Sequence, residues 1–265
     1  MVCCPHWYKQ PRGEPGGCVK LAPRLHVLVS RKAWSCDCCE HSSVASSHKM
    51  ETPVVSSFTE SERASVYEPA EDSFLLIDAL EKELSEILLR RPSVCVEVGS
   101  GSGIVSAAIA KALGNSCYCI ATDINEKAAA MTKTTCERNG ANVDVIVNDL
   151  VGCLADRLRH QVDLLIFNPP YVVTLPEEVH TGQLLPRSWA GGAKGREVMD
   201  RLAPYVPEML SDRGLYFLLV IKENDPGDVC NLMSAHGLRG ETVISRRCGA
   251  ESLSVLRFEK LEKNS

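Results

Sequence analysis

The tetrapeptide Asn168-Pro169-Pro170-Tyr171 has the residue types that most clearly indicate chemistry in this chain. It follows an apolar run, 162–167, that is typical of a buried strand, and the two prolines end that strand because neither can donate to a sheet ladder. The proline after Asn168 also keeps this residue extended. Acceptor oxygens beside an aromatic ring suit a planar NH2 group, so the motif predicts a site for an amide or a base amine. Taken alone, the same residues are also typical of a strand-ending turn.

A second candidate site is the glycine-rich turn Glu97-Val98-Gly99-Ser100-Gly101-Ser102-Gly103, which follows a predicted strand and precedes a helix. Small residues let a ligand approach the backbone next to a helix amino end. The turn is not the dinucleotide fingerprint, because Ile104 stands where that pattern requires a third glycine. A turn of this kind after a strand that ends in Glu instead suits S-adenosylmethionine, which carries no phosphate.

Carboxylates end three successive predicted strands, at Glu97, Asp123 and Asp149. At a shared sheet edge, Asp123 can accept both ribose hydroxyls and Asp149 can accept from an adenine amine. Acids that were only exposed to water would not need to recur at the ends of three successive strands. The pattern therefore predicts a nucleoside site at the carboxyl ends of the strands, where open α/β sheets bind ligands.

The elements that must position these residues alternate regularly along the chain. Helices are predicted over 69–88, 104–113, 126–139, 151–158, 197–210 and 226–236, and strands over 93–98, 117–122, 143–147, 162–167, 214–221, 241–246 and 252–258. The alternation predicts a parallel, doubly wound sheet. The last two strands have no helix between them, so we expect them to pair antiparallel, and we expect a loop over 174–195.

Composition narrows the class of protein. The chain has 265 residues, which can hold one large domain or two small ones, and 45% of them are apolar, which allows a real core. No apolar run approaches the roughly 18 residues of a membrane span. The first seven residues lack the layout of a secretory signal. We therefore expect a cytosolic or nuclear protein that does not act at a membrane.

The 13 cysteines fall into two groups, six within residues 1–50 and seven scattered over the rest. The odd count predicts no disulfide framework, and the scattered group is typical of buried free thiols. Cys36-Asp37-Cys38-Cys39 with His41 invites a metal interpretation, but its spacing matches no common zinc site, so no metal is predicted.

Residues 1–50 differ from the remainder of the chain in composition and charge. They are rich in Pro, Gly, Ser and Cys, which predicts a disordered extension, with a transit peptide as the alternative. They hold seven Lys or Arg and three acids, which leaves 22 basic and 31 acidic residues in 51–265. An acidic body repels phosphate backbones, so no direct nucleic-acid binding is expected.

Three motifs together resemble the HemK-type class I methyltransferases, which methylate the glutamine amide of peptide-chain release factors. They are Tyr67-Glu68-Pro69-Ala70-Glu71-Asp72, the glycine-rich turn and Asn168–Tyr171. Within this family the chain most resembles the eukaryotic catalytic subunit that acts on the Gly-Gly-Gln glutamine, because it has the runs Trp189-Ala190-Gly191-Gly192 and 195–201. The loop His180–Ser188 departs from the form expected of that subunit. The resemblance covers about 60–265. It implies a Rossmann-like methyltransferase domain over 51–265, with a seven-stranded, mostly parallel sheet, an antiparallel terminal strand and helices on both faces.

The resemblance also implies a role for each site residue. Around S-adenosylmethionine it implies Ser73 at the methionine end, with Tyr67 and Glu71 nearby, and Glu97 with Gly99 at the amino acid part. It implies Asp123 at the ribose, Asp149 with Leu150 at the adenine, and Gly101 as a further cofactor-binding residue. Asn168 and the Pro169 carbonyl would receive the target amide, with Asn168 also near the cofactor and with Pro170 and Tyr171 against the substrate. No general base is evident.

A partner subunit is implied as well. The family topology puts 142–147 at a sheet edge, and this run is apolar and lacks proline and lysine, which invites strand pairing. Members of the family resemble half of a heterodimer with a small zinc-binding activator, and we expect one here. The alternative is that a loop covers the edge.

Three other functions stay open at the level of the sequence. Methyltransferases that act on adenine amines in DNA or RNA share the Asn-Pro-Pro-Tyr motif, but the acidic body and the lack of a target-recognition domain disfavour them. Lysine methylation is a further possibility, although an ammonium fits the two acceptors less well than a planar amide. A non-catalytic cofactor-binding scaffold is the third, and the intact Asn168 and Tyr171 disfavour it.

Overall fold

The computed structural model describes residues 49–55, 58–179 and 185–261. Except for Lys49 and Met50, the predicted extension over 1–50 lies outside the described residues, and so does the Cys36–His41 cluster. Seven strands form one sheet in the order β3-β2-β1-β4-β5-β7-β6. Their bounds are β1 Val94–Val98, β2 Tyr118–Asp123, β3 Val143–Val147, β4 Val162–Phe167, β5 Leu210–Ile221, β6 Leu238–Cys248 and β7 Glu251–Lys260.

The described helices flank this sheet and mostly match the predicted periodicity. They are α1 Glu60–Arg63, α2 Glu71–Lys82, α3 Leu84–Leu89, α4 Ile104–Leu113, α5 Glu126–Arg138, α6 Pro176–Val179, α7 Glu197–Leu202, α8 Val206–Met209 and α9 Pro226–Ala235. Short 3₁₀ turns lie at 114–116, 186–188, 193–195, 203–205 and 222–224. No helix in the described part of the chain is long and apolar enough to span a membrane.

The sheet confirms the predicted topology. The pairs β1–β2, β1–β4, β2–β3 and β4–β5 are parallel, whereas β7 runs antiparallel to both β5 and β6. The order of the strands reverses between β1 and β4, which places a crevice at the carboxyl ends of these two strands. That crevice is where the candidate residues of the sequence converge.

Three predicted helices differ from the observed ones. The segment 69–88 is broken at Glu83 into α2 and α3, and the segment 197–210 is interrupted where Pro204 and Pro207 remove backbone donors. The helix predicted over 151–158 was wrong, because this segment forms hydrogen-bonded turns. A helix of only two turns forms too few hydrogen bonds to offset the free-energy cost of its nucleation.

The core lies on both faces of the central strands. All six residues of β4 are buried, as a continuous apolar run in a doubly covered parallel strand predicts. The one charge in β4, Asp163, accepts hydrogen bonds from the Ser93 N–H and the Ser211 hydroxyl, both at 2.7 Å. Among the described cysteines all seven are free thiols and four are buried, as predicted.

Candidate active site

A cavity with about 1270 Å³ of empty space, including the part open to solvent, lies at the carboxyl edge of the sheet. Its walls come from the ends of β1, β2, β3 and β4 together with the start of α2. Eleven of the thirteen residues that the resemblance places at the site line it, namely Tyr67, Ser73, Glu97, Gly99, Gly101, Asp123, Asp149, Leu150, Asn168, Pro169 and Pro170. The structure therefore brings residues from four separate motifs to one place.

The glycine-rich turn between β1 and α4 depends on conformations that favour glycine. Gly99, Gly101 and Gly103 have φ values of +67°, +56° and +79°. A Cβ on Gly103 would lie 2.6 Å from the Cα of Thr132, so this position also sets how closely α5 approaches the turn. At Gly101 the space is open, which leaves the backbone accessible from the cavity.

Asp123, the last residue of β2, is held by the backbone of two neighbouring loops. Its Oδ2 accepts from the Gly101 N–H at 2.9 Å, and its Oδ1 accepts from the Asn125 N–H at 2.8 Å. Burial raises the pKa of this carboxyl above its ordinary value. Each oxygen keeps a second lone pair, so the carboxylate can accept the two hydroxyls of a ribose as the sequence predicts.

Glu97 is only 3% exposed and accepts a hydrogen bond from the Ser106 hydroxyl. Burial raises the pKa of Glu97 to about 8, and the neighbouring Asp123 acts in the same direction. No Lys or Arg among the described residues pairs with it. A buried carboxyl without a cation provides a place where a positively charged ligand is stabilised.

Asp149 and Leu150 follow β3 at the outer part of the cavity. Asp149 is about half exposed and pairs with Arg201 at 2.6 Å. Leu150 adopts a φ of +52°, and its carbonyl oxygen accepts from the Thr122 hydroxyl at 3.0 Å. This region is less enclosed than the surroundings of Glu97, which suits a flat base with one exposed edge.

Asn168 is fixed by a carboxylate that the sequence interpretation did not select. The Nδ2 of Asn168 donates to Oδ2 of Asp72 at 3.0 Å, and the Tyr171 hydroxyl donates to the same oxygen at 3.3 Å. The Oδ1 of Asn168 is buried and has no hydrogen-bond partner among the described residues. A buried acceptor without a donor is costly, and a ligand N–H would satisfy it.

Tyr171 is placed differently from the prediction. It is buried and does not line the cavity, and its hydroxyl donates to Asp72, which does. Burial, reinforced by the Asp72 carboxylate, raises the pKa of the phenol well above its usual range. Direct packing of Tyr171 against a target amide stays a prediction, and the structure shows an indirect link through Asp72.

The beginning of α2 closes the cavity beside Asn168. Ser73 is buried and its hydroxyl donates to Oδ1 of Asp72 at 3.3 Å. Tyr67 also lines the cavity, and burial raises its pKa to about 12. Glu71 is exposed and does not line the cavity. The structure thus brings Ser73 and Tyr67 to the site, as predicted, but not Glu71.

Comparison with known proteins identifies the family. Residues 68–187 match the methyltransferase small domain. Methyltransferase HEMK2 of Homo sapiens is 51% identical over 195 residues, which are 74% of this chain and 90% of the relative. The chain belongs to the HEMK2 methyltransferase family. The eRF1 methyltransferase catalytic subunit mtq2 of Schizosaccharomyces pombe is 31% identical over 226 residues, which are 80% of this chain and 96% of that subunit.

A solved structure supports the same family at the level of the fold. The Mtq2-Trm112 complex of E. cuniculi, described as responsible for the methylation of the eRF1 translation termination factor, has a chain with a TM-score of 0.56 and 26% identity. The match covers 74% of this chain and 99% of that chain. The HEMK2 family fold therefore accounts for the described sheet and helices.

The methyl donor of this HEMK2 family member is S-adenosylmethionine, and the cavity fits it. Asp123 offers the pair of acceptors that a ribose needs, and the buried Glu97 suits the positive charges of a sulfonium and an ammonium group. The open space at Gly101 leaves room for a ligand beside the turn. No group of three or more His, Cys, Asp or Glu side chains is arranged to hold a metal among the described residues.

Two residues of the site were missed by the sequence interpretation. Asp72 belongs to the motif 67–72, but it was given no role at the site, because acids are common at the amino end of a helix. Asn224 follows β5 in an ordinary polar run, yet it is fully buried and its Nδ2 donates to the Tyr171 carbonyl at 2.8 Å. Both residues act through partners that are distant in the chain, so no local pattern could have found them.

Proposed function

We propose that this methyltransferase transfers a methyl group from S-adenosylmethionine to the side-chain amide nitrogen of the Gly-Gly-Gln glutamine in a eukaryotic translation termination factor. The single observation that carries the proposal is that Asn168 lines the cofactor cavity while its buried Oδ1 has no hydrogen-bond donor among the described residues. The action of the fission yeast and E. cuniculi relatives on eRF1 supports the choice of substrate.

The difficult part of this reaction is the nucleophile. An amide nitrogen shares its lone pair with its carbonyl group and attacks poorly. S-adenosylmethionine, when bound, supplies a methyl group on a positively charged sulfur, so the donor needs little activation. The amide nitrogen forms the new C–N bond, the C–S bond breaks with its electrons going to sulfur, and one N–H proton then leaves to water.

The chain's own contribution is to orient the amide. Asn168 Oδ1 and the Pro169 carbonyl can each accept one N–H of the target, which aims the nitrogen at the methyl group. Both acceptors also stabilise the positive charge that grows on nitrogen during transfer. Removing one such fixed polar contact typically lowers turnover by on the order of a hundredfold.

The charge of the domain supports a protein substrate over a nucleic acid. Residues 51–265 hold 22 basic and 31 acidic residues, and the cavity is lined by Asp72, Glu97, Asp123 and Asp149. A phosphate backbone would meet net repulsion here. The proposal keeps the cytosolic or nuclear location that the sequence predicts.

An activator subunit is part of the proposal. Strand β3 is at one edge of the sheet, and no other strand of the described residues covers its outer side. Val147 at its end is 52% exposed, and Ile124 in the loop after β2 is exposed at the same end of the sheet. Tyr118, at the opposite end of β2, is exposed as well. An apolar edge of this kind favours strand pairing with a partner. We propose the small zinc-binding subunit that the family resemblance implies, and the complex formed by the E. cuniculi relative supports the presence of a partner.

Mass spectrometry of the methylated product tests the function. The chain, with and without the activator subunit, is incubated with labelled S-adenosylmethionine and either a termination factor or an adenine-containing oligonucleotide. We expect label on the Gly-Gly-Gln glutamine only, and loss of label when that glutamine is replaced by alanine. Asn168→Ala should keep cofactor binding and lose turnover by on the order of a hundredfold. Label on the oligonucleotide instead, or full turnover in the variant, would contradict the proposal.

A further inference from the structure

Asp72 is a buried carboxylate without a cation. It lies in the first turn of α2 and is 3% exposed, and no Lys or Arg of the described residues pairs with it. Acids are rarely buried without such a partner, since desolvation of the charge must be offset by hydrogen bonds. The bonds that Asp72 makes therefore indicate why a carboxylate stands there.

Those bonds divide cleanly between the two oxygens. Oδ1 accepts from the backbone N–H of Ser73 at 2.7 Å and from its hydroxyl at 3.3 Å, which anchors the carboxylate on α2. Oδ2 accepts from Asn168 Nδ2 at 3.0 Å and from the Tyr171 hydroxyl at 3.3 Å. One oxygen atom thus contacts both ends of the Asn168–Tyr171 motif, at residues that are 96 and 99 positions away in the chain.

The bond to Asn168 decides which way its amide faces. The nitrogen and oxygen of an amide have nearly the same shape, so packing alone does not distinguish the two orientations. A carboxylate accepts and cannot donate, so it binds only the NH2 side of Asn168. The oxygen is then turned away from Asp72, and this is the buried atom that lacks a donor.

We infer that Asp72 is a positioning residue of the acceptor site, which sets the Asn168 amide so that its oxygen receives an N–H of the substrate. This inference rests on the proposed function and deepens it, because it states why the site takes an NH2 group. With the reverse orientation, Asn168 would present donors to the substrate and repel its N–H groups. The charge on Asp72 also polarises the Asn168 amide, which makes Oδ1 a stronger acceptor.

Asp72→Asn is the direct test, because it keeps the shape of the side chain and removes its acceptor-only character. We expect kcat for the termination factor to fall at least tenfold, while the Kd of S-adenosylmethionine, measured by calorimetry, stays within about threefold. Tyr171→Phe, which removes only the second bond to Oδ2, serves as the matched control and should lose less. Unchanged kcat in Asp72→Asn overturns the inference.

A double-mutant cycle distinguishes positioning from general support of the fold. If Asp72 acts through Asn168, then adding Asp72→Asn to Asn168→Ala lowers kcat by no more than about twofold further. A multiplicative loss in the double variant contradicts positioning. The exchange variant Asp72→Asn with Asn168→Asp restores one donor and one acceptor across the same contact. It should fold and exceed Asp72→Asn in kcat, and unfolding of both variants would assign Asp72 to stability and overturn the inference.

A spectroscopic measurement is independent of any substrate. The side-chain NH2 resonances of Asn168, assigned by their absence in Asn168→Ala, should exchange slowly with solvent in the wild type and faster in Asp72→Asn. Equal exchange in both proteins overturns the inference even if the termination factor proves to be the wrong substrate. Failure of the wild type to methylate any glutamine, with slow exchange retained, would instead count against the proposed function alone.

Discussion

The side-chain nitrogen of Asn224 donates to the carbonyl oxygen of Tyr171 at 2.8 Å and to that of Lys194 at 2.9 Å. Its Oδ1 accepts from the Ile221 N–H at 2.8 Å. Asn224 is fully buried, and it connects the end of β5 to the acceptor motif and to the turn at Gly195. A Cβ on Gly195 would lie 2.0 Å from the Tyr171 carbonyl oxygen, so these segments are in close contact.

Asn224→Ala should lower the free energy of unfolding by roughly 2–4 kcal/mol, because buried carbonyl and N–H groups lose their partners. Asn224→Asp should cost at least as much, since a carboxylate would face carbonyl oxygens. Urea denaturation measures both losses. Asn139→Ala is the control, because Asn139 also bonds the backbone of Val54 in both directions, but these bonds are exposed and Asn139 is only partly buried. Equal losses at 139 and 224 would show that burial of the network is unimportant.

Glu97 should make the stability of the protein depend on pH. Its ordinary pKa of 4.5 is raised by burial to about 8, so between these values the folded state keeps a proton that the unfolded state has lost. The free energy of unfolding therefore falls as pH rises through this window and levels off above it. Glu97→Gln removes this contribution. The free energy of unfolding of the wild type, relative to that of Glu97→Gln, should fall as pH rises when both are measured by urea denaturation from pH 5 to 9.

The same carboxyl should release its proton when the cofactor binds. The positive charges of S-adenosylmethionine favour the ionised form of Glu97, so binding near pH 7 expels close to one proton in the wild type. Calorimetry in two buffers with different ionisation enthalpies counts the protons, and Glu97→Gln should release none through this group. A binding enthalpy that is independent of the buffer in the wild type would show that Glu97 keeps the same protonation state when the cofactor binds, and would contradict the prediction.

The site residues that the sequence could predict are those that end a strand. Asp123 and Asn168 follow apolar runs, and the register of a parallel sheet brings such ends together whatever the details of packing. Asp72 could not be found in this way, because Glu71 beside it is also an acid in the first turn of the helix. Only the folded structure shows that Asp72 is buried and Glu71 is exposed. Asn224 was missed for the same reason, since its partner Tyr171 is 53 residues away. Local pattern predicts elements and their ends, whereas contacts between distant loops depend on tertiary packing.

Gly103 should tolerate alanine less well than Gly101 does. Both have positive φ values, so alanine costs about 1–2 kcal/mol at either position from backbone strain. At Gly103 the new Cβ would also lie 2.6 Å from the Thr132 Cα, whereas nothing lies within 4 Å at Gly101. Urea denaturation of the cofactor-free variants should therefore show the larger loss for Gly103→Ala. Equal losses would mean that α5 can move away without cost.

Val147→Lys should weaken binding of the proposed activator subunit without weakening the fold. A lysine at a sheet edge opposes strand pairing, and its aliphatic stem can still cover the apolar surface that Val147 covers now. Val147 is 52% exposed in the chain alone, so its replacement removes little burial from the folded state. We expect the Kd for the subunit to rise at least tenfold by calorimetry, with an unchanged urea midpoint. Leu89→Lys is the matched control, because Leu89 is 76% exposed at the end of α3 and not on β3. If Leu89→Lys weakens binding as much, or if Val147→Lys binds like the wild type, then the partner does not pair along β3.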